Sequence, residues 1–202
     1  MSGASGGTFA ALVIYAFVAT ITPGPNNLMV LASGVNFGLR RSVPHMLGIT
    51  FGFALMVVLV GVGMAQVFQA VPALFLALKI AGALYMLWLA WKIAHSGPVS
   101  ESEGARAAPM TFVQAALFQW VNPKGWSMAV AATSQFILPA DPWRTATLTA
   151  LAFLALGILS SATWTWAGQA IGRWLTNETR HRIFNVTMAA LIVLSVAQLV
   201  WH

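Results

Sequence analysis

The chain contains no cysteine, and its charged residues are scarce: 4 are acidic and 10 are Lys or Arg among 202 residues. Without cysteine the chain forms no disulfide, performs no thiol redox chemistry and offers no thiolate ligand to a metal ion. Charged residues make up 7% of the chain, whereas soluble domains carry about 25%. With 59% hydrophobic residues and a mean hydropathy of +0.80, the composition predicts an integral membrane protein.

The basic excess gives a net charge of +6, but the Lys and Arg residues are scattered along the chain. A nucleic-acid-binding surface requires clustered basic residues, and membrane topology explains scattered ones better. We therefore expect no nucleic-acid partner. No motif in the sequence indicates a cofactor or a bound metal.

Six apolar segments are each long enough to cross the roughly 30 Å hydrocarbon core of a bilayer as a helix. Residues 1–7 are small and uncharged and lack the basic start of a secretory signal peptide. The first segment is therefore expected to remain as a membrane span. The six segments are residues 8–32, 43–65, 73–94, 110–138, 145–171 and 183–201.

The chain is predicted to consist of two related halves of three spans each. At an offset of 100 residues, Pro23 matches Pro123, and each proline lies in the middle of a span. Because three is an odd number, the second half enters the membrane from the opposite side. This is the inverted-topology repeat of many secondary transporters. The predicted boundaries are 1–202 for a single transmembrane domain, 8–94 for the first repeat, 95–109 for a loop of soluble composition and 110–201 for the second repeat.

The basic residues predict the orientation of the chain. They lie mainly in the first, third and fifth connections, which face the same side of the membrane. By the positive-inside rule this side is cytoplasmic, and both termini lie outside the cytoplasm. The residues concerned are Arg40, Arg41, Lys92, Arg106, Arg173, Arg180 and Arg182.

The first span is interrupted by the run Thr22-Pro23-Gly24-Pro25-Asn26-Asn27. Proline removes a backbone donor and clashes with the preceding helical turn, and such a break is tolerated only beside protein or a water-filled cavity. Pro25 favours a restarting helix, whose N-terminal N–H groups attract an anion such as a carboxylate. The run predicts one wall of a translocation site, and the alternative is a structural kink.

The fourth span carries a second polar cluster near its centre: Gln119, Asn122, Pro123 and Lys124. Lys124 is the only charged residue placed near the bilayer centre, where its cost is at least about 2.5–3.5 kcal/mol. No acidic residue lies in any of the six segments. Either Lys124 reaches the interface, or it sits neutral, or a ligand supplies the negative charge. A structural role, in which Lys124 binds carbonyls of the broken helix, is the alternative to a role in transport.

Three further residues are secondary candidates. Trp164 and Gln169 belong to a polar and aromatic stretch of the fifth span, for which helix packing is the competing explanation. His45 begins the second span, and histidine is the side chain whose ordinary pKa lies near physiological pH, although a histidine at the interface is usually only solvated.

Together these residues resemble the lysine-exporter/homoserine-threonine-exporter (LysE/RhtB) family. The resemblance rests on Thr22–Asn27, on the Gly48/Gly52 spacing and on Asn122-Pro123-Lys124, and it covers nearly the whole chain. The segment Trp88–Ala94 is similar to the cysteine/O-acetylserine exporters. By this likeness, the family's motif positions are Pro23, Pro25, Asn26, Asn27, Asn122, Pro123 and Lys124.

The resemblance implies export of amino acids from a bacterial cytoplasm across the inner membrane, with protons as the coupling ion. This chain departs from the family in two ways. Some members have an acidic residue in the membrane, and none is evident here. Gly125-Trp126 follows the lysine where aliphatic residues are common, which would alter the shape of a pocket.

The sequence therefore predicts an all-helical secondary transporter with helices 1 and 4 broken near the midplane. The two breaks are expected to meet around a substrate, with alternating access driven by an ion gradient. Lys124 and the helix start after Pro25 would hold its carboxylate. Asn26, Asn27 and Asn122 would orient its amino group. The partners are an amino-acid substrate and the lipid bilayer, and homo-oligomerisation stays open.

Two other classes remain as alternatives. A metal-cation exporter or channel would share the architecture, but hard cations prefer carboxylate oxygens, which the six segments lack. An intramembrane enzyme would need a nucleophile and base or a motif such as His-Glu-x-x-His. That motif is absent from the sequence, so the chain is predicted not to be an enzyme.

Overall fold

The computed structural model describes residues 2–64, 70–95, 108–175 and 177–201, and every regular element in them is helical. The prediction of an all-helical fold is confirmed for these residues. Most of the predicted loop 95–109 lies outside them. The helices are α1 Ser2–Ile21, α2 Pro25–Leu59, α3 Pro72–Ala94, α4 Phe112–Phe118, α5 Pro123–Phe136, α6 Pro142–Gly172 and α7 Glu178–Trp201. A π-helical turn, Val60–Met64, extends α2, and a 3₁₀ turn, Gln119–Val121, follows α4.

Four helical stretches are long and apolar enough to cross a membrane, and two shorter apolar helices accompany them. The sequence predicts six spans, and the difference has a physical cause. The first and fourth predicted spans are each divided into two helices at their prolines, so neither forms one long helix. The four long stretches are Pro25–Gly63, Leu76–Ala94, Pro142–Gly172 and Glu178–Ala197, and the shorter ones are Gly7–Ile21 and Phe112–Val121.

A sharp bend at Gly38 divides α2 into two segments, 25–37 and 39–59. Gly38 has φ 75° and ψ 170°, a conformation that glycine adopts without the steric cost of a Cβ atom. The amide oxygen Oε1 of Gln169 accepts a hydrogen bond from the N–H of Leu39 at 2.6 Å. Ser42 Oγ donates to the carbonyl of Gly38 at 2.8 Å. The predicted connection between the first two spans is therefore a single residue, with Arg40 just beyond it.

Glycines allow α6 to lie directly against α2. A Cβ atom at Gly34 would collide with the backbone of Thr165, and one at Gly168 would collide with the carbonyl of Leu31. In membranes the hydrophobic effect does not drive helices together, and small residues instead let their backbones approach closely and pack. It is this packing that brings the polar face of α6 to the break between α1 and α2.

Gly48 and Gly52 have the same role against α4. Cβ atoms there would meet the backbone of Phe112 and Ala116 respectively. On the other flank α3 packs along α7 through buried apolar side chains, including Met86, Leu89 and Ile192. Large apolar side chains such as Leu84, Leu117 and Ile183 are more than 60% exposed. An outer surface of this kind suits contact with lipid rather than water.

Candidate functional site

Two interruptions of the helices form the framework of the site. After α1 ends at Ile21, Gly24 is fully extended at φ −176° and ψ 178°, and Pro25 begins α2. In the second half, the 3₁₀ turn ends at Val121, and Asn122 and Pro123 begin α5. Proline suits the first turn of a helix because the N–H that it lacks would have no partner there. Both breaks lie at the residues that the sequence predicts.

Asn27 and Ser160 satisfy carbonyl groups that the first break exposes. Asn27 Nδ2 donates to the carbonyls of Thr20 and Thr22, both at 2.8 Å. Ser160 Oγ, on α6, donates to the same Thr20 carbonyl at 2.8 Å. The last carbonyls of a helix have no partner within it, so these side chains replace the missing turn.

Trp164 and Lys124 bind further carbonyls of the same break from other helices. The indole Nε1 of Trp164 donates to the carbonyl of Ile21 at 3.1 Å. Lys124 Nζ, at the start of α5, donates to the carbonyl of Thr22 and, at 3.4 Å, to that of Pro23. The single cation of the second break is thus held over the first break by backbone oxygens.

A reciprocal pair of amides joins the two breaks. Asn26 Nδ2 donates to Gln119 Oε1 at 2.8 Å, and Gln119 Nε2 donates to Asn26 Oδ1 at 3.2 Å. Gln119 is completely buried, and its Nε2 also donates to the carbonyl of Ala115 at 2.9 Å. Each amide in the pair therefore has a donor and an acceptor matched across the interface of the two halves.

Asn122 is the exception among the polar groups at the breaks. Its side chain is 1% exposed, and its oxygen Oδ1 has no hydrogen-bond partner among the described residues. An unsatisfied buried acceptor costs about 1–3 kcal/mol. A group kept at such a cost beside a cavity is a candidate for contact with a ligand.

These groups surround a cavity of about 40 Å³, which we call the Lys124 cavity. That volume accommodates about three water molecules. Five of the predicted site residues line it: Gly24, Asn26, Asn27, Asn122 and Lys124. The apolar walls are supplied chiefly by Ile49, Phe53, Met128 and Phe153, and further polar or small ones by Thr20, Thr50, Gly157, Ser160 and Ser161.

Lys124 sets the electrostatics of this cavity. Of the described residues that line it, Lys124 is the only charged one, and none is acidic. A Cβ atom on Gly24 would lie 2.6 Å from Lys124 Cδ and 3.2 Å from Nζ, so any larger residue at position 24 would require the lysine side chain to move. In surroundings of low dielectric constant, an unneutralised cation attracts an anionic group strongly.

The other predicted residues lie at various distances from the cavity. Pro23 contributes a carbonyl oxygen, and Pro25 is buried at the start of α2. Trp164 caps the end of α1, whereas Gln169 binds the bend at Gly38. Pro123 begins α5, Gln119 contacts Asn26, and His45 lines a different cavity.

Sequence reasoning named Trp164 and Gln169 of α6 as secondary candidates but missed three other residues of that helix, Gly157, Ser160 and Ser161. Ser160 and Ser161 line the cavity, and Gly157 lies one turn before them. Small and polar residues at positions i, i+3 and i+4 of an apolar helix occupy one face. That spacing was a signal, but it could not show which helix the face would meet.

Comparison with known proteins gives consistent matches along the chain. The family model described as "LysE type translocator" matches residues 17–202. A cysteine/O-acetylserine efflux protein of Escherichia coli (strain K12) is 35% identical over 183 residues, which cover 89% of this chain and 90% of that protein. The proteins of the same description from Shigella sonnei (strain Ss046) and Escherichia coli O139:H28 (strain E24377A / ETEC) are 35% and 34% identical over the same shares. No solved structure matches the chain.

Proposed function

The chain belongs to the LysE type translocator family and is a transporter rather than an enzyme, and we propose that it exports a small amino acid or a close derivative from the cytoplasm. Cysteine and O-acetylserine are the first candidate substrates because relatives at 35% identity are described as their efflux proteins. One observation carries the proposal. The two helix breaks enclose a cavity that holds one cation and one unpartnered amide oxygen.

The proposed ligand contacts follow from the charge of each group. An amino acid presents a carboxylate and an ammonium group a few ångströms apart. Lys124 and the N–H groups at the start of α2 bind the carboxylate. The free Oδ1 of Asn122 accepts a hydrogen bond from the ammonium group, while Asn26 and Asn27 fix the surrounding backbone.

Lys124 needs only a small movement to change partners in this scheme. Its ammonium group now binds the carbonyls of Thr22 and Pro23. A substrate carboxylate at the same place offers a full negative charge in exchange for two partial ones, and a charge-assisted hydrogen bond is about twice as strong as a neutral one. The structural and functional roles that the sequence left open are therefore combined in one residue.

We further propose six spans arranged as two inverted repeats, and the helix contacts support this arrangement. Segment 39–59 of α2, in the first half, packs on α4 of the second half. Correspondingly, α6 of the second half packs on α1 of the first. The pair α3 and α7 joins the third span of each half. Rocking of one repeat against the other would open the Lys124 cavity, which is smaller than an amino acid, to each side in turn.

The protein is proposed to lie in the inner membrane of a bacterium with both termini outside the cytoplasm. In that orientation Arg40, Arg41 and Arg173 follow the cytoplasmic ends of helices, as the positive-inside rule requires. We take protons as the coupling ion, as the family resemblance implies.

The decisive test is the export activity of Lys124→Met. We expect this variant to reach the membrane at the wild-type level and to lose export, because the substrate carboxylate loses its counter-ion. Cells loaded with dipeptides would be assayed for cysteine, O-acetylserine and other amino acids released into the medium. Lys79→Met, a change in α3 outside the cavity, serves as the matched control. Wild-type efflux from Lys124→Met would remove this residue from the mechanism, and absence of selective release by the wild type would refute export.

A further inference from the structure

A second cavity of about 70 Å³ lies at the Gly38 end of α2. It is bounded by both segments of α2, by the end of α3 and by the residues just before α4. Among its lining residues are Ser33, Asn36, His45 and Lys92. We call it the His45 cavity. It lies on the side of the molecule where Arg40 and Arg41 follow the bend, which is the cytoplasmic side in the proposed orientation.

Two polar side chains at this cavity, those of His45 and Asn36, have buried atoms without hydrogen-bond partners among the described residues. His45 is 2% exposed, and neither of its ring nitrogens has a hydrogen-bond partner among the described residues. Asn36 Nδ2 donates to the carbonyl of Ala32 at 2.8 Å and to Asn185 Oδ1 at 3.3 Å, which fixes the amide. Its oxygen Oδ1 is left without a partner in the same described part of the chain. Buried polar groups are rarely left unsatisfied unless they serve another purpose.

The two cavities lie along the same faces of α2. On segment 25–37, Asn26 lines the Lys124 cavity and Ser33 lines the His45 cavity; seven residues of helix span about 10 Å. On segment 39–59, Ile49 and His45 line the respective cavities and are one helical turn, about 6 Å, apart. The two cavities are therefore neighbours along one direction through the bundle.

An apolar cluster separates them. Val30, Met46, Ile49 and Ala115 are all buried and pack together. Ile49 also lines the Lys124 cavity, and Met110, which packs against the cluster, lines the His45 cavity. A thin barrier of side chains between two polar cavities is a suitable gate, because unbranched methionines change rotamer at low cost.

We propose that the His45 cavity is a second binding site for the exported amino acid, occupied from the cytoplasm before the ligand passes the apolar cluster. The proposal rests on the proposed function and extends it to a site that the Lys124 cavity does not include. Asn36 Oδ1 accepts a hydrogen bond from the ligand's ammonium group. A ring nitrogen of His45 binds a short polar side chain, such as a thiol, a hydroxyl or an ester oxygen. The ammonium group of Lys92, at the mouth of the cavity, attracts the carboxylate.

Equilibrium binding to the purified protein in lipid nanodiscs tests the proposal, with radiolabelled L-cysteine under reducing conditions as the probe. The wild type should bind more than one molecule of L-cysteine per chain. His45→Leu and Asn36→Leu should each weaken one of these sites about tenfold or more, because a hydrogen bond to a buried polar group is lost. Lys124→Met should weaken the other site and leave this one. His95→Leu, a change at an exposed histidine after α3, is the matched control and should bind as the wild type does.

Thermal unfolding separates a binding role from a structural one. If His45 serves the ligand, His45→Leu removes two unsatisfied buried nitrogens, and its melting temperature without ligand should equal or exceed that of the wild type. A lower melting temperature with unchanged binding would show that His45 is structural and would overturn the proposal. The proposal would also be overturned if the wild type bound one molecule of L-cysteine per chain and only Lys124→Met weakened that binding. That result would leave the proposed export intact. No binding of L-cysteine or O-acetylserine by any variant would instead count against the proposed function.

Discussion

At the residue scale, the side chains around the first break do two kinds of work. The donors of Asn27, Ser160 and Trp164 bind carbonyls at the end of α1 or, for Thr22, just beyond it. Asn122 has an acceptor oxygen without a partner among the described residues. Lys124 binds neutral carbonyl oxygens, which an anion can replace. The first three residues preserve the break, and Asn122 and Lys124 are the ones that we propose to bind a substrate.

Asn122→Leu separates these two kinds of work. The change removes an oxygen without a partner, so the variant should be as stable as the wild type or more so. Export should fall about tenfold or more, because the ammonium group of the substrate loses its acceptor. Gln135→Leu, an exposed position on the same helix, is the control. Unimpaired export from Asn122→Leu, measured at equal membrane abundance, would assign the ammonium group to another residue.

The pair Asn26 and Gln119 is suited to a double-mutant cycle. Gln119→Leu alone leaves Asn26 without its partner, whereas the double variant Asn26→Leu/Gln119→Leu leaves neither amide behind. Hydrogen bonds between membrane helices couple by about 0.6–1.7 kcal/mol, and we expect a coupling energy in that range from unfolding in detergent mixtures. Additive effects of the two changes would show that the amides act independently.

Both breaks and the position of the lysine could be predicted from the sequence. Prolines and asparagines in an apolar run predicted both breaks, and a lysine in a segment without acidic residues predicted a partner other than a carboxylate side chain. The pairing of Asn26 with Gln119 and of Trp164 with Ile21 could not be predicted. Such contacts depend on how helices distant in sequence are rotated against each other, and no local pattern encodes that rotation.

At the scale of elements, close contact between α2 and α6 positions the site. Gly34 and Gly168 let these helices approach until a Cβ atom on one would overlap the backbone of the other. The sequence indicated Gly48 and Gly52 as packing glycines, because residues at positions i and i+4 of a helix lie on one face. It did not signal Gly34 and Gly168, which lie on different helices and form a pair only after folding.

Gly168→Ala tests this packing. The added methyl group collides with the carbonyl of Leu31, and overpacking of this kind typically costs about 1–3 kcal/mol. We expect a lower melting temperature and reduced export from a normally inserted protein. Gly7→Ala is the matched control, because a Cβ atom there meets nothing within 4 Å. Equal melting temperatures for the two variants would mean that α2 and α6 can move apart to accommodate the methyl group at little cost.

The boundaries of the elements were predicted unevenly. The ends of α3, α6 and α7 lie within a few residues of the predicted spans, because long apolar runs bounded by polar residues determine them. The connection at Gly38 was expected to be a loop and is one residue. Its conformation depends on Gln169, which binds the N–H of Leu39 from another helix.

At the scale of the whole molecule, the orientation of the six proposed spans can be measured directly. Since the chain has no cysteine, any single cysteine introduced is labelled without background. We expect Ala140→Cys to react with a membrane-impermeant maleimide in intact cells, and Arg41→Cys and Asn177→Cys to react only after permeabilisation. A reporter fused after His202 should give a signal outside the cytoplasm. Labelling of Asn177→Cys from outside would refute the proposed topology.

The hydrogen bonds at the first break also bear on how the protein is made. The donors from Lys124, Ser160 and Trp164 lie 102, 140 and 143 residues beyond the carbonyls that they serve. At about 5–20 residues per second, a ribosome needs about 7–28 s to add 140 residues. During that interval the break between α1 and α2 has only Asn27 to cover its carbonyls. The carbonyls of Ile21 and Pro23, which Asn27 does not reach, therefore need water or the insertion machinery beside them until Trp164 and Lys124 arrive with the second half.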